Sequence, residues 1–334
     1  MSPSTDSTTI PLAGRRRGFA VRTLRRGILL FWLVAALAAA VVLASRFRID
    51  NSVSVWFAAD DPALVEYRRS LTDFGPREWL LVALEWTTGD AGVRAADRER
   101  FVDRLREVPE VHAVLTAAGL PADAPLVEQF LRPDTRGGLE GLLVQVTNEL
   151  ERQDDYRERL TEGIRAAGSG LPGVAGVRVA GIAVINGELN RSARRDMSVF
   201  FPIVALFLAL LGGLLFRNPR DTAVLLAVAL ATVVITMGLL VGFGYSLNMV
   251  TIMLPTVLIA LSVADVVHLI HVFHRVEAAS GVAQRAGQAV RRVAWPCLAT
   301  TLTTMAGFLA FAGSSVLPIY QLALFGAAGV GLAW

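Results

Sequence analysis

Charged side chains are missing from four long stretches of this chain, residues 27–45, 197–216, 222–264 and 293–334. A hydrocarbon core about 30 Å thick is crossed by about 20 apolar residues rising about 1.5 Å each, so stretches of this size read as membrane spans. The first two match one span each. The other two are each about twice a span in length, and each is broken near its middle. Gly242-Phe243-Gly244-Tyr245-Ser246-Leu247-Asn248 interrupts one, and Gly313-Ser314-Ser315-Val316-Leu317-Pro318 the other. The count becomes six helices, near 28–44, 198–216, 223–243, 250–272, 294–313 and from 318 onward. The last reaches Trp334 before any polar flank or stop-transfer charge, so the sequence reads as the first part of a longer polypeptide.

Composition agrees. Hydrophobic residues make up 54% of the chain, above the level of ordinary soluble domains. All basic residues are arginines, and the formal charge of +3 is small for 334 residues, so a nucleic-acid partner is not indicated. The arginines instead set an orientation. Arg15, Arg16, Arg17, Arg22, Arg25 and Arg26 precede the first helix. Arg217 and Arg220 separate the second from the third, and Arg275, Arg285, Arg291 and Arg292 separate the fourth from the fifth. The short loops after the third and fifth carry no charge. By the positive-inside rule the N-terminus and the arginine-bearing loops face the cytoplasm, and residues 46–196 face outward.

This divides the chain into a cytoplasmic segment 1–26, a transmembrane helix 27–45, an outer domain 46–196 and a helical bundle 197–334. The first apolar run also resembles a secretory signal ending at Val42-Leu43-Ala44-Ser45, but it exceeds the usual signal core and is needed as an anchor. Residues 1–12 are polar and Ser/Thr-rich and read as disordered. In the outer domain a strand is expected over 49–57. A helix should follow to about Phe74, with Asp61 near its cap and Pro62 in its first turn. Next come a strand over 78–86, a helix over 92–108, strands over 111–116 and 141–147, a helix over 154–167 and a strand over 177–183. That β-α-β-β-α-β order is the ferredoxin-like split motif, with Pro-rich 117–136 linking its halves. The expected fold is an α-helical polytopic membrane protein with an α/β domain between its first two spans.

Asp265 is the only acidic residue inside an expected span. A charge at membrane depth costs at least about 2.5 kcal/mol on insertion scales, so an intramembrane carboxylate is a functional candidate. It precedes Arg275 by ten residues, about 15 Å along a helix, which puts it near the midplane. His268, at i+3, shares its face. The pair could take up a proton in turn, as relays in pumps do. His271 and His274 rotate away and read as cytoplasmic-end residues. Thr300, Thr301, Thr303 and Thr304 line the fifth helix; they either bond their own backbone and neighbours for packing, or one of them, Thr300, Thr301 or Thr304, supports the Asp265 carboxyl. Cys297, the single cysteine, lies in an apolar run and reads as a small core residue. The basic segment 274–292 reads as an amphipathic helix on the cytoplasmic surface. No P-loop, metal-ligand cluster or nucleophile elbow occurs, so neither an enzyme, nor a cofactor, nor a metal site is expected.

Several of these segments are familiar together. Phe216-Arg217-Asn218-Pro219-Arg220 and Phe243-Gly244-Tyr245-Ser246-Leu247-Asn248-Met249-Val250-Thr251 resemble the segment joining helices 2 to 4 of the resistance-nodulation-division superfamily. Ser262-Val263-Ala264-Asp265-Val266-Val267-His268-Leu269 resembles the helix 4 signature of its MMPL-type and hydrophobe/amphiphile efflux branch, usually Gly-x-x-Asp-Tyr-x-x-His-Leu. Thr300-Thr301-Leu302-Thr303-Thr304-Met305-Ala306-Gly307-Phe308 resembles the helix 5 motif. Ile49 through Phe57, Asp60-Asp61-Pro62-Ala63-Leu64 and Val179-Ala180-Gly181-Ile182-Ala183-Val184-Ile185-Asn186 resemble the porter-domain flanks. Ser262 and Val266 depart from the helix 4 pattern.

The resemblance implies an N-terminal half of a twelve-span, proton-driven exporter of the bacterial inner membrane with a periplasmic porter domain. Its partners would be the lipid bilayer, a hydrophobic or amphiphilic lipid-like cargo, the second half of the same polypeptide beyond Trp334 and, in some assemblies, further copies of itself. Two other readings stand beside it: a non-transporting lipid sensor of the sterol-sensing type, and an accessory protein of secretion.

Overall fold

A computed structural model describes residues 13–334 apart from positions 59, 76, 88, 120–130, 132–137, 148–154 and 277–280. The N-terminal dozen, most of the 117–136 link and residues 277–280 of the expected surface helix therefore lie outside the described residues.

The outer domain is built on strand β1 (Arg77–Trp86). Its Leu80, Val82, Leu84 and Trp86 alternate inward, the period-two pattern of a strand with one buried face. Helix α2 (Pro62–Phe74) leads into β1, capped by the Asp61 carboxylate, which accepts from the Ala63 N–H. Helix α3 (Ala91–Arg106), strand β2 (Val111–Leu115), strand β3 (Leu139–Thr147), helix α4 (Asp155–Ala167) and strand β4 (Val174–Ala180) follow. All pairings are antiparallel and the sheet order is β2-β3-β1-β4. Phe101 and Leu105 of α3 and Leu160 and Ile164 of α4 pack on the Leu80, Val82 and Leu142 side of the sheet, all fully buried. The helices therefore cover one face of an α/β layer.

Two local expectations change. No strand forms over 49–57. Ile49 makes a lone parallel bridge to Leu247, and the Asp50 side chain then accepts from the Ser52 N–H at 2.8 Å, turning the chain into a single 3-10 turn over Val53–Trp56. An Asx-type turn of this kind competes with the extended ladder. The last strand ends at Ala180 rather than 183, because Gly181 adopts φ 152° and its Cα sits against Leu80, where a Cβ would meet Cδ2 at 2.5 Å. Helix α5 (Ile182–Phe216) begins at the next residue and runs unbroken for 35 residues, so the expected division at 196/197 falls inside one helix.

The bundle comprises α1 (Ala13–Arg46), α5, α6 (Pro219–Gly242), α7 (Leu254–Arg275), α8 (Val282–Leu309) and α9 (Leu317–Ala333). Among the described residues five helices are long and apolar enough to cross a membrane, by way of Arg26–Arg46, Ile182–Phe216, Pro219–Gly242, Thr251–Arg275 and Val282–Gly313. Helix α9, at 17 residues, sits at the lower end of spanning length. Outward-facing Leu29, Phe31, Phe200, Phe207, Leu214 and Trp295 are all more than half exposed, an apolar surface that only lipid or another apolar partner can cover. The chain is a multi-pass membrane protein. The segment 274–292 does not form a separate surface helix, since α8 carries Arg285, Arg291, Arg292 and Pro296 in one register with Thr300–Thr304. A proline is tolerated there as in other spans of membrane helices.

The centre of the bundle relies on small residues. A Cβ at Gly238 would lie 2.6–2.8 Å from Ala39 Cβ, Cα and O, so α1 and α6 touch nearly backbone to backbone, the close approach typical of membrane helices. Gly329 of α9 likewise faces the Leu258 methyls at 2.6 and 2.7 Å. Gly238→Val should lower the thermal stability of the purified protein in detergent, by about 1–3 kcal/mol as overpacking does. Gly307→Val, with nothing near its Cβ position, should leave the melting temperature within a degree or so of wild type by the same measure. Equal melting of both variants would show that α1 and α6 do not approach in this way.

Candidate functional site

Helix α7 starts where Thr251 caps the preceding loop and runs past two buried small or branched side chains, Ser262 and Val266. Ser262 Oγ donates to the Leu258 carbonyl at 2.7 Å, and Val266 packs with Leu225 and Ile270. Between them Asp265 is half-buried on the side facing α8. The Cys297 thiol of α8, only 8% exposed, lies near it on that side. His268, one turn nearer Arg275, is exposed and stands on the outer side of the helix rather than against the carboxylate.

The α8 hydroxyls divide. Thr300 donates to the Cys297 carbonyl, and Thr304 and Thr303 donate to the Thr300 carbonyl at 2.8 and 2.9 Å. Thr300 and Thr304 therefore serve their own helix and are not brought to Asp265. Thr301 is the buried one, at 4% exposure. Cys297, read from the sequence as a plain core residue, is the group that lies near the carboxylate. Spacing along α8 gives no sign of this, because the contact depends on how α7 and α8 are rotated against each other. His271 is exposed, whereas His274 Nε2 lies 2.7 Å from Asp221 Oδ2 and ties the last turn of α7 to the first turn of α6.

At the opposite end of the bundle the sequence held a second polar cluster that motif reading passed over. Asn51 follows α1, Asn190 lies on α5, Asn248 and Thr251 sit between α6 and α7, and Gln321 is on α9; each is 2% exposed or less. Asn51 Nδ2 donates to Asn190 Oδ1 at 2.7 Å, while Asn51 Oδ1 accepts from the Met249 N–H at 2.7 Å. Asn248 Nδ2 donates to Gln321 Oε1 at 2.9 Å, and Asn248 Oδ1 accepts from the Val250 and Thr251 N–H groups. Thr251 Oγ1 accepts from the Asn248 N–H at 2.9 Å. Two backbone bonds, Asp50 N–H to Leu247 O and Leu247 N–H to Arg48 O, each 2.8 Å, run alongside. The available signal was an amide within the apolar stretches, since such a group must find a partner.

Charge also crosses from α5 to the outer domain. Arg191 and Arg194 reach Glu158 of α4 at 3.7 and 3.5 Å, so α5 is attached to the α/β layer by exposed ion pairs and to the bundle by buried amides. Exposed pairs of this kind contribute little individually. The amides carry more, because a buried donor or acceptor left alone costs about 1–3 kcal/mol.

Among the described residues no group of three or more His, Cys, Asp or Glu side chains is placed to hold a metal ion.

Residues 222–334, about a third of the chain, match the family model described as the sterol-sensing domain of SREBP cleavage-activation. The stretch contains α7, α8 and, of the amide cluster, Asn248, Thr251 and Gln321. The chain is also similar to the crystal structure of SecDF, a translocon-associated membrane protein from Thermus thermophilus, at 16% identity and a TM-score of 0.47, over 92% of this chain and 35% of that one. This chain thus spans about a third of the length of that protein. No curated protein matches.

Asn248→Ala should destabilise the protein measurably, because Gln321 Oε1 and two loop N–H groups lose their partner at once. About 2 kcal/mol or more is expected from groups of this type, read as a lower melting temperature in detergent. Thr251→Val should do less. An unchanged melting temperature in Asn248→Ala would mean that water replaces the amide freely and that the cluster is not a structural joint.

Proposed function

We propose that this chain is the N-terminal half of a proton-driven exporter of the resistance-nodulation-division type, moving hydrophobic or amphiphilic molecules out of a bacterial inner membrane. The observation that carries this reading is Asp265, a half-buried carboxylate in the middle of a span. Among the described residues no basic side chain forms an ion pair with it, and a lone acid in hydrocarbon is held at a standing cost unless its ionisation is used.

In this reading α9 is a sixth span, the β-α-β-β-α-β layer is a ferredoxin-like periplasmic porter domain, and the N-terminus is cytoplasmic. A proton arriving from outside binds a carboxylate oxygen of Asp265, forming an O–H bond and neutralising the group. The Cys297 thiol, a weak donor to the ionised form, can then accept weakly from the acid. Loss of the charge changes how α7 packs on α8, and release of the proton to the cytoplasmic side restores it. In this reading His268, one turn from Asp265 toward Arg275 but on the outer side of the helix, takes that proton through water rather than by direct contact. Long helix α5 carries any tilt of the bundle to the outer domain.

The family match over 222–334 favours one second reading, a lipid sensor in which the same bundle binds an apolar ligand without moving it.

Asp265→Asn should abolish uphill efflux of a lipophilic fluorescent dye from cells making the full-length protein, with normal membrane abundance. Neutralising the residue removes an insertion cost of about 2.5–3.5 kcal/mol, so lost activity would not reflect poorer insertion. Thr300→Val and Thr304→Val should be nearly silent, and Cys297→Ser should retain more efflux than Cys297→Ala. Full efflux in Asp265→Asn would overturn the relay, and dye binding without any flux in the wild type would leave the sensor reading.

Topology is checked separately. Cysteines introduced at Asp90 and at Gln284 should react differently with an impermeant thiol reagent on intact spheroplasts, position 90 labelling and position 284 not. The reverse pattern would invert the assignment of the α/β layer to the periplasm.

A further inference from the structure

A cavity of about 350 Å³ opens in the outer domain between α2, the start of β1, α4 and the first turns of α5. That volume is at the lower end of ligand-sized pockets. Its walls are of two kinds. Tyr67, Leu71, Phe74 and Trp79 supply an apolar rim, with the Phe74 ring 86% and Trp79 45% exposed. Such rings stand in water at a cost unless something covers them. The interior holds Arg157, itself only 5% exposed, and Glu78.

Arg157 Nε is buried without a hydrogen-bond partner, and so is Glu78 Oε1. Each unmade hydrogen bond on a buried group is costly, and the two side chains line one cavity without forming an ion pair with each other. Burial pushes the Glu78 carboxyl above the usual range, and the Arg157 guanidinium offsets only part of that rise. The protonated acid is a hydrogen-bond donor. With Arg77 at the mouth, the polar end of the cavity presents two guanidinium groups and one carboxyl group. The floor is Ser52 and Asn186. Ser52 follows Asn51 of the buried amide cluster directly, and Asn186 stands one turn before Asn190 of the same cluster.

We propose that this cavity binds the head of a single-chain anionic amphiphile, a carboxylate or phosphate on Arg157, with its first methylenes against Phe74, Leu71 and Trp79. An anionic head satisfies Arg157 Nε. The aromatic rim covers the start of the chain, and the rest of the tail leaves through the open side. Because the floor belongs to the loop and helix joined by Asn51 and Asn190, the occupied cavity bears on the joint between the outer domain and the bundle. The proposal rests on the amphiphile-handling reading above, but not on the Asp265 relay.

The test uses full-length protein in nanodiscs and three probes, dodecyl phosphate, dodecanoate and neutral dodecyl maltoside, with affinity measured by calorimetry. Wild type should bind the two anionic probes and bind the maltoside at least about tenfold more weakly, the size of one charge-assisted contact. A preference for the phosphate over the carboxylate, or the reverse, identifies the head. Arg157→Met should weaken both anionic probes by about tenfold or more. Glu78→Gln, which keeps a donor and removes any repelling charge, should bind as tightly as wild type or tighter.

Phe74→Ala changes a fully outward ring and should leave the fold intact, so it guards against a misfolded Arg157 variant. It should weaken dodecyl phosphate several-fold and leave inorganic phosphate unaffected. Asp265→Asn should bind all three probes as wild type does, so that a failed relay and a failed cavity give different results. Equal affinity for anionic and neutral probes in wild type, or loss of binding in Glu78→Gln, would overturn the proposal; the second result would point to a cationic or zwitterionic head.

Discussion

The buried amide cluster at Asn51, Asn190, Asn248 and Gln321 is the joint on which the architecture depends. It gathers the segment after α1, the N-terminal part of α5, the α6–α7 loop and α9 at one point. Irregular backbone at that depth is tolerable only when its polar groups are satisfied by protein. Asn248 answers two loop N–H groups with one oxygen, and Leu247 pairs with the chain on either side of Ile49. The loop is thus held by groups far away in sequence, and the bundle could not close at this end without the segment that enters the outer domain.

The same rule sorts the polar side chains within the spans. Thr232, Thr300, Thr303 and Thr304 return their hydroxyl protons to carbonyls of their own helix, a local solution that makes no demand on neighbours. Asp265 has no such local solution, because an ionised carboxylate accepts only and helix carbonyls do not donate. It must turn to another helix, and it lies on the side of α7 toward the Cys297 thiol of α8.

Much of the fold could be read from period and count. Charge-free stretches located the helices of the bundle, and the alternation of Leu80, Val82 and Leu84 placed the central strand. Asp61 and Pro62 marked the start of α2, a signal that depends only on neighbouring residues. What could not be read depended on contacts between distant segments. The 49–57 stretch alternates like a strand, yet Asp50 and Leu247 draw it into a bridge and a turn. The arginine run before Val293 suggested a boundary, but α8 continues through it, since arginine is a good helix former and only the solvent around the helix changes. At the candidate site, Asp265 stood out by cost alone. Cys297 did not, because helix rotation is invisible in one sequence, and the amides drew no notice singly although together they form a network.

Helix α5 joins these pieces physically. At about 1.5 Å per residue its 35 residues reach about 52 Å, well beyond a hydrocarbon core of about 30 Å. The excess lies at its N-terminal end, where Asn186 lines the outer cavity, Asn190 enters the amide joint, and Arg191 and Arg194 meet α4. An uninterrupted helix transmits rotation and tilt along its length in a way that a loop does not. The other end of α5 packs on α6 through Gly212, whose Cβ position lies 3.0 Å from Thr222 and 3.2 Å from Leu225. Leu225 also touches Val266, the neighbour of Asp265. A chain of packed contacts therefore leads from the membrane carboxylate through α6 to α5 and on to the outer cavity. Contiguity of this sort is the physical route that coupling between the two sites would take.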